Sequence, residues 1–130
     1  MNYKLKTAAI ALLVTVATAI SVSAQKPTRI AFKKGATSAV VTGKLSGYGS
    51  KRVFVIRVKA GQRMVVEGIG SRPVTIWIEG PPGYEQDLAA DCHGRTLIDP
   101  TLAGDFTLTV EECQKADPWR GTFRVRVSVR

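Results

Sequence analysis

The sequence predicts an all-β fold: an antiparallel β-sandwich of jelly-roll type, built from about eight short strands. Three observations carry that expectation. Apolar residues recur with period two, as in Phe123, Val125, Val127 and Val129 against Arg124 and Arg126. Turn signals rich in Gly, Pro, Ser and Asp residues separate the runs at the spacing of sandwich strands. Beyond the N-terminal apolar segment no run has helical period.

That N-terminal segment comes first in the chain. Lys4 and Lys6 form a basic region, an apolar run covers residues 8–20, and Val22-Ser23-Ala24 supplies compact residues before Gln25. The run is short for a bilayer span. The pattern is that of a signal peptide, residues 1–24, cut after Ala24. Residues 25–130 then form a single β-sandwich domain with no further transmembrane segment, placed in the periplasm or secreted at a bacterial cell envelope.

The strands follow in order. Residues 28–32 and 38–45 read as the first two, and the Gly47-Tyr48-Gly49 turn follows. The stretch 51–70 reads as a hairpin: Phe54, Ile56 and Val58 alternate on one arm, Met64 and Val66 on the other, with Ala60-Gly61 between them. In residues 74–79, Val74, Ile76 and Ile78 share one face, which turns Trp77 outward. Gly80-Pro81-Pro82-Gly83 stops that strand. Residues 84–94 read as irregular and 95–98 as a short strand. Residues 105–113 place Phe106, Leu108 and Val110 inside. After the polar loop with Pro118-Trp119-Arg120, residues 122–130 close the fold.

Cys92 and Cys113 are the only cysteines, with 20 residues between them. Neither belongs to a CxxC pair, and in an oxidising compartment an even pair reads as a disulfide. Loop closure of that length is worth about 3 kcal/mol. Charge is the other compositional signal. Lys4 and Lys6 belong to the leader, so 17 of the 19 basic residues remain against 10 acidic ones, a formal +7. A cationic exported domain is drawn to anionic polymers and lipid head groups. Plain solubility is the ordinary alternative.

Catalytic patterns are not found. The chain has one His and neither HExxH nor GxSxG. Glu85, Asp87, Asp91, Asp99 and Asp105 offer carboxylates for glycoside chemistry, but they sit at turns, where Asp is favoured for backbone hydrogen bonding. Asp87, Asp91 and His93 show no ordered ligand ladder for calcium. No metal, no cofactor and no enzyme activity is expected, and no nucleic-acid module is recognisable.

Phe32-x-Lys34-Gly35, Ser38-Ala39, Gly43 with Gly47-Tyr48, Lys59-Ala60-Gly61-Gln62, Ile78-Glu79-Gly80-Pro81 and the line from Leu102 to Val110 run across the chain. In these residues the sequence resembles the periplasmic inhibitors of g-type lysozyme and, more broadly, the pre-peptidase C-terminal-like β-sandwich domains. The resemblance implies an exported binding protein whose loops enter the cleft of a g-type lysozyme. The cysteine pair, the Asp91–Arg95 stretch and the short connection before the last strand depart from the family pattern, and no inhibitory residue is carried over.

Exposed aromatics anchor interfaces and stack on sugars. Tyr48, Tyr84, Trp119 and Arg120 are therefore the candidate contacts to a protein partner. The alternative function is a cell-envelope module that binds anionic cell-wall glycan, with Trp77 or Trp119 for stacking and Arg124 and Arg126 for anionic groups. The plain reading of each aromatic is a residue covering the sandwich edge, and that of the arginines is edge protection. If the last strand adjoins the 51–70 hairpin, Arg52, Arg57, Lys59 and Arg63 extend the basic stripe.

Overall fold

The computed structural model describes residues 26–85 and 88–130. The expected leader, 1–24, lies outside the described residues, as does Asp87. Nine strands are present among the described residues: β1 (Thr28–Arg29), β2 (Ser38–Ser46), β3 (Lys51–Val58), β4 (Met64–Ile69), β5 (Val74–Glu79), β6 (Leu88–Ala90), β7 (Arg95–Ile98), β8 (Gly104–Glu112) and β9 (Arg120–Val129). They form two sheets, a five-stranded one in the order β1-β3-β8-β5-β6 and a four-stranded one in the order β2-β9-β4-β7. The expected all-β sandwich is what forms. Every pairing is antiparallel except β1 with β3.

The period-two pattern decides which side of each strand is covered. Phe54, Ile56, Val74, Ile76, Phe106, Leu108 and Val110 line the inner face of the five-stranded sheet, and Met64, Val66, Phe123, Val125 and Val127 line that of the other. Phe54 and Phe123 meet edge-on across the gap, with ring centroids 6.1 Å apart at 83°. A side chain at Gly43 would put its Cβ 2.7 Å from the Phe123 ring, so β2 approaches β9 only because that position is glycine.

The stretch 51–70 is not a hairpin. Its two strands exist where expected, but β3 lies in the five-stranded sheet and β4 in the four-stranded one. Both arms carry a full inward apolar row. Pairing them side by side would leave one sheet without a facing layer, whereas crossing over buries both rows against each other. The crossover is held by Gln62, whose amide oxygen accepts the Lys59 N–H and whose own N–H donates to Thr101 Oγ1 at 3.0 Å.

Residues 84–94 also differ from expectation, because β6 forms inside them. Leu-Ala-Ala has little strand propensity of its own, and pairing with β5 supplies the order. A tight turn follows, closed by Gly94 N–H donating to the Asp91 carbonyl at 2.8 Å. Its central residues, Cys92 and His93, have φ of 46° and 70°. Left-handed backbone is costly for both side chains, and the Cys92–Cys113 disulfide over-determines it by tying the turn to the end of β8.

Candidate functional site

The strand registers sort the loops into two ends. The β2–β3, β4–β5, β6–β7 and β8–β9 connections share one end, since Ser46 pairs with Arg120, Ile69 with Arg124 and Lys51 with Glu111. The disulfide lies at the same end. The β1–β2, β3–β4, β5–β6 and β7–β8 connections share the other.

Three of the four candidate contacts converge at the first end. The Tyr48 hydroxyl donates to the Ala116 carbonyl, and Gly47 N–H donates to the Trp119 carbonyl at 3.0 Å. The β2–β3 turn and the β8–β9 loop are thereby tied together. Trp119 is fixed more firmly than a contact residue in a free loop. Its backbone N–H donates to Glu112 Oε1 at 2.6 Å, its indole N–H donates to the Pro73 carbonyl at 3.1 Å, and the Arg72 guanidinium lies 5.3 Å over its ring. Arg120 is exposed beside it and borders two hollows, of about 550 Å³ on the Lys44 and Arg52 side and about 300 Å³ on the Pro118 side.

Glu112 is the residue that sequence reasoning missed. It is fully buried at the end of β8, and its Oε2 has no hydrogen-bond partner among the described residues. Its place at an inward position of an apolar strand was the available signal: a carboxylate there needs a donor, and the Trp119 N–H is one.

Tyr84 does not join this group. It lies at the opposite end, packed edge-on against Phe106 with centroids 5.2 Å apart, and its buried hydroxyl has no partner among the described residues. Burial raises its pKa. Gly80 allows the packing, since a Cβ there would run into the Tyr84 ring. The ring folds back on its own loop because Phe106 offers more apolar contact than water does.

The glycan candidates are also separated. Trp77 stands on the outer face of the five-stranded sheet, 51% exposed. Arg124 and Arg126 point outward from the four-stranded sheet, on the far side of the sandwich. Nor does the last strand adjoin β3: its neighbours are β2 and β4, so of the expected stripe only Arg63 shares its face. There Arg126 pairs with Glu67 at 3.3 Å, while Arg63, Arg95 and Arg130 border a hollow of about 300 Å³.

The disulfide is present between Cys92 and Cys113. Asp91 is the carboxylate nearest to it. The Lys115 ammonium, 2.5 Å away, and the Thr75 hydroxyl hold its pKa below the usual carboxylate range. Asp105 is held low in the same way by a two-point contact from Arg29, at 3.1 and 3.2 Å. A general acid for glycoside chemistry needs a raised pKa, and both of these move the other way.

Two antiparallel-rich sheets of this order, closed by loop pairs at each end, have counterparts among solved structures. The fold is that of the periplasmic inhibitors of g-type lysozyme. Aeromonas hydrophila PliG, described as a periplasmic inhibitor of g-type lysozyme, superposes with a TM-score of 0.65 at 22% identity, covering 80% of this chain and 96% of its own. Salmonella Typhimurium PliG gives 0.65 at 18% identity, covering 82% of this chain and 100% of its own. A mutant of the Escherichia coli protein gives 0.62 at 21% identity, covering 82% of this chain and 100% of its own. At these identities the likeness is one of fold. No protein-family model matches the chain, and no curated protein matches it. All three are described as inhibitors of g-type lysozyme, and the sandwich of this chain carries its disulfide at the end where Tyr48, Trp119 and Arg120 meet.

Proposed function

We propose that the protein is an exported inhibitor of a g-type lysozyme, acting by insertion of its Tyr48–Trp119–Arg120 loop end into the enzyme's cleft. One observation carries the reading. The two loops at that end are cross-tied through the Tyr48 hydroxyl and the Gly47 N–H, and Trp119 is anchored from below by Glu112. A loop held in place before binding loses little further freedom on association. Arg120, left exposed on this scaffold, is the charged contact, and Tyr48 is the aromatic one. A structural disulfide fits the oxidising compartment that a leader ending at Ala24 would deliver the chain to. The positive net charge slows encounter with a cationic enzyme, so this reading favours a target with an acidic cleft.

The test is lysis of bacterial cell walls by g-type lysozymes in the presence of purified protein, with a c-type lysozyme as control. Selective, saturable inhibition is expected. Arg120→Ala should remove most of it without moving the melting temperature, because the side chain is exposed. Undiminished inhibition by that variant removes Arg120 from the site, and no inhibition of several g-type enzymes overturns the reading.

A further inference from the structure

We propose that the hollow around Trp77, on the outer face of the five-stranded sheet, is a binding site for a neutral pyranose ring. The residues directly opposite Trp77 on the neighbouring strands are Ala89 and Thr109. Both are small, so the indole stands above its surroundings and remains 51% exposed. It is also fixed. Its Nε1–H donates to Glu111 Oε1 at 2.6 Å, and Glu111, only 8% exposed, is packed into the sheet. A rigid, open indole face is the surface on which the C–H side of a sugar ring stacks.

The rim supplies the polar half of such a site. The hollow is about 280 Å³ and is bordered by Thr75, Asp91, Gln114 and Lys115 as well as Trp77 and Glu111. Asp91 is oriented by Thr75 Oγ1 at 2.8 Å and by Lys115, and the disulfide ties the neighbouring Cys92 to Cys113, next to Gln114. Oriented acceptors thus border the aromatic platform, with the Gln114 amide and the Lys115 ammonium at its rim. Pockets for drug-sized ligands run from about 300 to 1,000 Å³, so this hollow has room for one ring. Around the indole the polar groups of Thr75, Asp91, Glu111 and Gln114 stand beside apolar surface that includes Ala89, a mixed lining that suits the C–H and O–H faces of a sugar.

Charge selects the neutral class. Two carboxylates, Asp91 and Glu111, face the hollow, and each has a cation beside it, Lys115 at 2.5 Å and Lys51 at 3.8 Å. The arginine-rich surface lies behind the other sheet. With its charges paired off, the hollow offers an anionic sugar no net attraction, contrary to the joint site of Trp77 with Arg124 and Arg126 expected from the sequence.

The experiment follows the two indole N–H resonances of ¹⁵N-labelled protein, assigned with Trp77→Phe, during titration with N-acetylglucosamine trimer, maltotriose and a galacturonic acid trimer. At least one neutral trisaccharide should move the Trp77 resonance saturably and leave that of Trp119 in place, at low and at high salt alike. Trp77→Ala should weaken that binding by roughly ten-fold or more and keep any lysozyme inhibition, while losing the stability that the Glu111 hydrogen bond supplies. Trp77→Phe, which retains an aromatic face, should fall between the two. The proposal is overturned if neither neutral trisaccharide moves the Trp77 resonance, if Trp77→Ala binds as tightly as the parent, or if the galacturonate trimer binds tightest.

Discussion

Single side chains decide how the loop end is built, and Glu112 is the plainest case. It spends one oxygen on the Trp119 backbone and keeps the other buried. Removing the acceptor strands a buried N–H, and a hydrogen bond to a charged group is worth about 1.5–3 kcal/mol. Glu112→Ala should therefore lower stability by about that amount and loosen Arg120 with it, measured as a fall in melting temperature together with weaker inhibition. Glu112→Gln keeps an acceptor and should fall between Glu112→Ala and the parent. Unchanged stability in Glu112→Ala would show that Trp119 is held by Pro73 and Arg72 alone. Asp91 gives a pH dependence whose sign follows from its partners. Its pKa is depressed in the folded state, so the unfolded chain binds the proton more readily. The stability it contributes is complete above the ordinary carboxylate range and is lost as pH falls through the depressed value. Asp91→Asn should flatten the acid limb of a stability-versus-pH curve, and an unaltered limb would count against the pairing with Lys115.

These residues also show where the sequence stopped being informative. Trp77 was legible as outward-facing, because period two is a local property of the strand. Tyr84 and Trp119 were not. Both looked like exposed loop aromatics, and both are held by partners distant in sequence: Phe106 for the first, Pro73, Arg72 and Glu112 for the second. Composition and period carry no record of such pairings.

At the scale of elements, strands were legible and their partners were not. The alternation in β3 and β4 is plain, yet whether two consecutive strands pair or cross over depends on which apolar rows face each other, a property of the whole sandwich. The disulfide was legible from an even cysteine pair, outside any CxxC, in a chain expected to reach an oxidising compartment, but the tight turn it secures between β6 and β7 was not. Breaking it should cost about 3 kcal/mol by the loop-closure argument. Cys92→Ser with Cys113→Ser is expected to melt well below the parent. Protection from hydrogen exchange should be lost first in β6 and β7, which lie at the outer edges of their sheets. Uniform loss across both sheets would show that the turn is not a separate unit. Gly43 in β2 gives a second check on the packing: Gly43→Ala forces its Cβ onto Phe123, and overpacking of this kind costs about 1–3 kcal/mol.

Across the whole molecule, three surfaces point in different directions. The Tyr48–Trp119–Arg120 end caps the sandwich, the Trp77 hollow opens from one broad side, and the arginines occupy the other. On that last side Arg63 and Arg130 sit directly opposite each other, exchanging backbone hydrogen bonds of 2.8 and 3.0 Å. Among the described residues neither is in an ion pair, and like charges so placed repel. The opposite broad side carries Asp105, Glu111 and Asp91, each beside a cation. Unpaired positive charge is therefore gathered on one broad side of the sandwich. On an anionic support it should come to rest arginine side down, as a tile lies on mortar, with Trp77 facing the bulk liquid and the loop end standing at the rim. Acrylamide quenching of Trp77 fluorescence, isolated in Trp119→Phe, should then be the same on anionic beads as in free solution, and adsorption itself should fade with added salt. Shielding of Trp77 on the beads would mean that the molecule settles on its other side.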